Sequence, residues 1–406
     1  MGKDIKYNFN EKYCGFLVGY ILIVGYLILS VYEAYINGAF GAYTKYYIIA
    51  LAMILLIMTN FKLVRNYAQT AVIIWYWLYL VSILWASNNG WEQYFLTITA
   101  MVAFMFIITG IRFTTDVFDS LMTCFLVISL SLGIFGLFFS QSFDWGTRNT
   151  LYLLGVYMDP NGLDALYGIG TGLSLYNLFV KKKLQILSGL TLLINAYGIF
   201  MSGSRSGLVI LIAQIVLVIF LGEERQKPID IVRKLFVLII VLALIGIIAS
   251  LYVPTDVLDR ILGLGPLKFI DGTGRLERWS TGLNMWWNEG FLFGCGWGTY
   301  ECHGTFFTML VDVGLVGTSV FFSILIWIFA KAFKQRNIVA LMLIISGIIP
   351  GALIGAQNQR FFWNSIIFST VAVLSKQREL QDDLYKNFKM LEAKSFPKPL
   401  FKKKLF

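Results

Sequence analysis

Apolar residues along this chain neither alternate with polar ones nor mark a single stripe of a helix. They fill whole runs, and short polar connectors separate one run from the next. About 20 residues of α-helix cross the ~30 Å hydrocarbon core of a bilayer, and a spanning segment must satisfy its own backbone hydrogen bonds, so the runs read as transmembrane helices. They fall at roughly 15–34, 46–60, 69–86, 93–111, 118–139, 162–180, 184–201, 207–222, 234–253, 307–330, 337–356 and 361–375, about twelve spans. The expected fold is an all-α integral membrane protein, with one polytopic domain over 1–375 and a basic tail over 376–406. The first run follows a basic segment, as a signal peptide would, but Gly15 to Ser30 is too long and lacks a small-residue exit. It reads as an uncleaved first span.

Composition supports this reading. With 58% hydrophobic and 14% charged residues in 406, and a mean hydropathy of +0.72, the chain is too apolar for an ordinary soluble domain. The net charge of +10 would suit nucleic acid, yet the charges sit in connectors and tail, which membrane topology explains better. A cytoplasmic N-terminus puts 25 of the 33 basic residues inside, among them Lys62, Arg65, Arg112, Lys181 to Lys183, Lys331, Lys334 and the tail. An odd number of spans would break that pattern. One histidine, and four cysteines (Cys14, Cys124, Cys295, Cys302) without CxxC spacing, argue against a metal site, and no cofactor is expected.

Two connectors on the outer side are long: 140–161, and 253–306, which is rich in Gly, Trp and Arg. Loops of that length in a membrane protein usually carry function. No internal repeat of the kind that builds many transporters is present. After the last span, Leu380, Leu384, Phe388 and Leu391 recur at helical spacing among charges, which suits either an inner-leaflet helix or a solvated basic tail.

The informative basic residues are those on the outer side: Lys45, Arg148, Arg205, Arg260, Lys268, Arg275, Arg278 and Arg360. A guanidinium stays charged and donates a planar fork of hydrogen bonds to oxyanions, so a cluster of them suits a diphosphate; any one alone more often snorkels to a headgroup. Arg205 is the strongest case. It stands in Met-Ser-Gly-Ser-Arg-Ser-Gly (201–207), a tight turn in which backbone N–H groups and the guanidinium can approach one anion. Arg275 lies in Gly-Thr-Gly-Arg-Leu-Glu-Arg-Trp (272–279), a glycine turn entering a short amphipathic helix, with Arg278 expected on the same face and Glu277 as a plain ion-pair partner. His303 is placed to exchange protons near neutral pH, with Glu301 or Asp312 as its candidate orienting partner. Asp159-Pro-Asn-Gly162 reads first as a helix cap by Asp159 or Asn161, and second as an acceptor-sugar contact. Cys295 and Cys302 are close enough in sequence for a disulfide, but spacing alone cannot establish its geometry.

Taken together these pieces resemble the O-antigen ligase/polymerase superfamily of bacterial polysaccharide assembly. The resemblance rests on Asp159-Pro-Asn, Ser202-Gly-Ser-Arg-Ser-Gly207, Gly274-Arg275 with Trp279, Gly294-Cys-Gly-Trp-Gly298, and His303 followed by Gly314-Leu-Val-Gly317, in the family's order over roughly 159–317. His303 is followed by glycine where the family more often has a small polar residue. The resemblance implies a membrane-embedded, C-type, metal-independent glycosyltransferase at the outer face of the bacterial plasma membrane, with both termini cytoplasmic. Its partners would be an undecaprenyl-diphosphate-linked oligosaccharide, membrane lipids, and the flippase and chain-length regulator of the same pathway. Arg205 and Arg275 would bind the diphosphate and His303 would activate the acceptor hydroxyl; Arg278, Asp159, Arg148 and Glu301 are further substrate-binding candidates. The expected reaction is polymerisation of a capsule, exopolysaccharide or O-antigen. One alternative is ligation of finished glycan to lipid A core, wall polymer or protein. Another is a lipid-linked oligosaccharide flippase, which predicts ionisable residues in several spans where this sequence has almost none besides Asp312.

Overall fold

The computed structural model describes residues 13–40, 43–143, 148–222 and 274–395, and parts of 229–262. The basic start of the chain, Arg225, Lys227, Lys234, Lys268, the terminal run 396–406 and much of the expected span 234–253 lie outside the described residues.

Helices occupy the apolar runs: α1 Tyr13–Val31, α2 Glu33–Phe40, α3 Thr44–Met58, α4 Tyr67–Ser82, α5 Glu92–Gly110 and α6 Thr115–Phe139. After a small sheet come α7 Pro160–Leu175, α8 Gln185–Met201, α9 Arg205–Leu221, α10 Thr255–Leu262, α11 Arg275–Glu289, α12 Thr305–Lys334, α13 Ile338–Leu353 and α14 Arg360–Ser395. Four of these, α4 with its extension to Trp85, α5, α6 and α12, are long and apolar enough to cross a bilayer; α1 and α2 make a fifth if counted as one bent span. Helices α3, α8, α9 and α13 are apolar but shorter. The chain is a helical, membrane-embedded protein.

Local chemistry sets the ends. Asn66 and Gln69 form a reciprocal capping box at α4, Thr114 caps α6, and Asn337 caps α13, each oxygen satisfying an N–H that the first turn leaves open. The last helix runs unbroken from Arg360 to Ser395, so the expected tail helix continues the final apolar segment rather than forming a separate element.

Three features depart from the sequence expectation. The first span is not straight: it bends by 81° between Val31 and Glu33. The bend delivers Glu33 to Arg360, 2.8 Å away, with Thr44 donating to the same carboxylate oxygen at 2.9 Å. A buried arginine needs such a partner. Next, residues 140–143 and 148–157 form a three-stranded antiparallel sheet, β1 Ser140–Phe143, β2 Arg148–Leu153 and β3 Val156–Tyr157, in the order β1-β2-β3. Leu154 and Gly155, both at positive φ, make the two-residue turn between β2 and β3, where such backbone matches strand twist. The sheet caps the end of the bundle formed by the last turns of α6 and the start of α7.

Third, α12 is broken at Gly314 (φ 64°, ψ −165°), and the loop 291–298 is wedged into the break. The N–H groups of Cys295 and Gly296 donate to the carbonyls of Val311 (2.6 Å) and Asp312 (3.2 Å), and those of Leu315 and Val316 donate to Phe291 and Leu292 (3.0 Å each). The loop thus satisfies what the broken helix leaves open. Backbone meets backbone here, which explains the glycines: a Cβ on Gly294 would lie 2.4 Å from the carbonyl carbon of Asp312. The wedge seats Trp297, fully buried, against Tyr79 (5.1 Å, edge-on) in a core that also stacks Trp75, Phe321, Phe362 and Trp363. Each such aromatic pair contributes ~0.5–1.5 kcal/mol beyond its burial.

Candidate active site

The site is built on the turn between α8 and α9. Gly203 at φ 62° reverses the chain, Ser202 donates to the carbonyl of Ile199 (2.8 Å) and accepts from the N–H of Ser204 (3.2 Å), and Arg205 opens α9. Only small residues fit, because Ser202, Ser204 and Ser206 are all buried. The first strand-ladder residue of β2, Arg148, holds this turn from outside: its Nε donates to the Ser202 carbonyl and its Nη2 to Asn161 Oδ1, both at 3.2 Å. Ser204 Oγ donates to the same Asn161 oxygen at 3.0 Å.

Asn161 is placed by the cap of α7. Asp159 Oδ2 accepts from the Gly162 N–H (2.9 Å) and Pro160 takes the first helical position, so the capping reading of Asp159-Pro-Asn-Gly is the observed one, with Asp159 as the cap. One turn on, Asp164 lies fully buried beneath Ser202 and Ser204, with no well-formed hydrogen bond to either oxygen. A Cβ on Gly207 would sit 2.6 Å from its Oδ2, so glycine there makes room for it. Asp164 corrects the expectation that Asp312 is the main acid within the apolar segments.

Helix α10 brings in a further arginine. Val253, Val257 and Ile261 recur at helical spacing and bury themselves against Tyr197, Phe200, Met201 and Leu208 of α8 and α9. That seats the last turn of α10 over the Arg205 side chain, whose Nε and Nη2 both donate to the Arg260 carbonyl (3.1 and 2.9 Å). A cation at the carboxyl end of a helix is favourable in itself.

Helix α11 supplies the third guanidinium. Gly274 enters it at φ 61°, as the glycine turn predicted, and Arg275 is half-buried. Burial holds the Arg275 guanidinium below its ordinary value, Asp159 pulls the other way, and Arg260 and Arg205 add to the lowering. Asp159, Arg205 and Arg260, from three other segments, therefore lie within electrostatic reach of Arg275. Arg278 does not join them: it is exposed, because the inward face of α11 passes through Arg275, Trp279 and Gly282 at steps of four and three residues. The expectation of a shared face is corrected accordingly.

The same face of α11 leads to His303. Trp279 stacks on Phe307 at 5.0 Å, and a Cβ on Gly304 would lie 3.1 Å from Trp279 Nε1, itself buried and without a partner among the described residues. Gly304 thus meets α11 about one turn, roughly 6 Å of rise, beyond Arg275. His303 has φ 54°, a strained value for a residue with a side chain. Its neighbours hold it there: Cys302 N–H donates to Thr308 (3.1 Å), Thr305 donates to the Ile354 carbonyl through N–H and hydroxyl, and Ala356 N–H donates back to Thr305 (2.7 Å).

The orienting partners proposed for His303 do other work. Asp312 Oδ1 accepts from the Gly298 N–H at 2.9 Å and so anchors the wedge. Glu301 accepts from Tyr94 at 3.4 Å and lies beside Gly355. Among the described residues neither hydrogen-bonds to the histidine. Arg360 is bound to Glu33, and Lys45 lies 5.6 Å from the Tyr46 ring. Cys295 and Cys302 are free thiols, each held above its ordinary value by burial, Cys302 at about 12. Sequence reasoning left Arg260 unplaced and missed Asp164; the apolar spacing of Val253, Val257 and Ile261, and an acid inside an apolar run, were the signals that could have found them.

Among the described residues no group of three or more His, Cys, Asp or Glu side chains is arranged to hold a metal ion. The described residues present neighbouring guanidinium groups and a carboxylate, and the segment that carries His303 meets α11 at Trp279. Neither models of known protein families nor curated proteins match the sequence.

Proposed function

We propose that the protein is a glycosyltransferase of bacterial surface polysaccharide assembly, a polymerase acting on a lipid-diphosphate-linked glycan. The observation that supports this reading is that Arg205 grips the carbonyl of Arg260 and that both lie, with Asp159, within electrostatic reach of Arg275, although the segments are far apart in sequence. Like charges held together in a half-buried setting are stabilised by a polyanion, and a diphosphate is the polyanion that a transferable glycan carries. In the reaction the anomeric C–O bond to the diphosphate breaks and a C–O bond to an acceptor hydroxyl forms. The leaving diphosphate takes the bonding electron pair and is stabilised by the guanidinium groups; the hydroxyl proton passes to His303 as general base. Arg205, whose fork already grips the Arg260 carbonyl, positions α10 as well as contributing charge.

On this reading the shorter apolar helices complete about twelve crossings of the plasma membrane, both termini are cytoplasmic, and the arginine cluster opens on the outer face. A ligase would use the same groups with a different acceptor. The observation that favours a flippase is the ionisable residues within the bundle, Asp164 and the Glu33–Arg360 pair. Substituting Arg275→Ala or His303→Ala in the producing bacterium separates them. A transferase predicts loss of polymer with single lipid-linked repeats accumulating on the outer face. Repeats trapped inside support the flippase, and polymer of unchanged length and amount in both variants removes the site assignment.

A further inference from the structure

A cavity of about 500 Å³ lies apart from the arginine cluster. It lies at the opposite ends of α7 and α8, where α6 and α13 begin, lined by Asp119, Met122, Leu173, Tyr176, Lys181 and Lys183 among others. Its volume falls within the ~300–1,000 Å³ of small-ligand sites. The backbone around it is irregular. The end of α7 widens into a π-helix over Tyr176–Lys181, a form found mostly at functional positions, and Lys182 and Leu184 both adopt positive φ (54° and 51°).

These irregularities determine what faces the cavity. The wider turn points Tyr176, Asn177 and Lys181 into one opening, and the N–H of Lys183 folds back onto the Asn177 carbonyl at 3.0 Å, setting Lys183 on the rim. Lys181 forms an ion pair with Asp119, which fixes its ammonium at the wall and takes up part of its charge. Lys182 and Lys183 are exposed beside it, and Glu379 of α14 is within electrostatic reach of Tyr176. The floor is apolar and buried: Met122, Leu173 and Val339. The flanking Phe179 and Ile186 are exposed apolar side chains, so the rim carries exposed apolar groups beside its lysines, the mixture that suits a bilayer interface.

A cationic rim above an apolar floor complements a molecule with a phosphate at one end and a chain at the other. We propose that this cavity binds the headgroup of an anionic phospholipid from the leaflet at that end of the bundle. The phosphate lies between Lys181 and Lys183, and the glycerol and first acyl carbons lie on Met122 and Leu173. The inference is independent of the glycosyl-transfer reading, and binding to detergent-solubilised protein does not depend on orientation in the cell.

The test is native mass spectrometry of the full chain in a neutral detergent, titrated with phosphatidylglycerol or phosphatidylcholine. The wild type should retain phosphatidylglycerol in preference to phosphatidylcholine. At the ~1 kcal/mol that each lysine near a membrane surface contributes, Lys181→Ala with Lys183→Ala should weaken retention roughly thirtyfold. Lys183→Glu, at an exposed position that does not burden folding, should have a similar effect. Lys331→Ala with Lys334→Ala, equal in charge but outside the cavity, should leave retention unchanged. Equal loss in that control pair, or equal retention in the cavity variants, overturns the proposal. Displacement of the lipid by millimolar inorganic phosphate overturns the lipid assignment and marks a site for a soluble phosphate ligand.

Discussion

Replacing Gly294 with alanine is the most demanding test of the wedge that breaks α12. Gly294 has φ 80°, which costs a residue with a Cβ about 1–2 kcal/mol. The new Cβ would lie 2.4 Å from the carbonyl carbon and oxygen of Asp312 and 2.5 Å from the nitrogen of Val313, all backbone atoms that cannot swing aside. The loop must withdraw, and the four hydrogen bonds linking 291–296 to 311–316 go with it, at about 1 kcal/mol net each. The sum, ~5–6 kcal/mol, is a large part of the ~5–15 kcal/mol that usually separates folded from unfolded protein. Two other glycines calibrate the reasoning. Gly155 has the same φ of 80° but nothing within 4 Å of its Cβ position, so Gly155→Ala should lose only the backbone contribution, ~1–2 kcal/mol. Gly189, inside α8 and equally open, should gain up to ~1 kcal/mol as alanine. Thermal unfolding of the purified variants in mild detergent, with size-exclusion profiles, should rank them Gly189→Ala, wild type, Gly155→Ala, and far below these Gly294→Ala. A Gly294→Ala protein that melts with the wild type would refute the wedge.

Two further outcomes follow from the site. Arg148→Ala removes both charged donors from the Ser202 carbonyl and Asn161, at ~1.5–3 kcal/mol each, so the melting midpoint should fall clearly; Arg148→Lys, with no planar fork, should recover less than half. Full recovery by lysine would show that charge alone matters there. The Cys302 thiol is pushed up to about 12 by burial, so at pH 8 only about one in 10⁴ is thiolate, and raising the pH increases that fraction. In a variant keeping Cys302 as its single cysteine, iodoacetamide at pH 8 should leave the folded protein unmodified and label it after denaturation; labelling of the folded protein at the rate of a small free thiol would contradict the packing of α11 over Cys302.

Much of the candidate site was legible because it depends on short-range rules. Asp159 followed by Pro160 caps a helix whatever lies around it, Gly274 must turn before Arg275, and small residues between two apolar runs must reverse the chain at Gly203. Continuous apolar runs likewise required helices in a membrane, since the backbone has no other way to satisfy itself there. The three-stranded sheet between α6 and α7 was not legible, because its strands are two to six residues long and are held partly from elsewhere, as where Tyr35 donates to the Leu151 carbonyl.

What only tertiary structure decided was which charges meet. Arg360 and Arg260 look alike in the sequence, yet the bend after Val31 pairs the first with Glu33, and the seating of α10 on α8 and α9 brings the second to Arg205. Asp312 looked like a partner for His303 and instead pins Gly298, because the break at Gly314 opens α12 to a loop that arrives from some fifteen residues earlier. Apolar burial fixes where helices lie without regard to pairing, since it is non-directional, whereas ion pairs and hydrogen bonds act only within a few ångströms. The sequence by itself therefore determined the solvent of this protein and several of its helix caps, and the packing of the helices determined which of its scattered arginines come together.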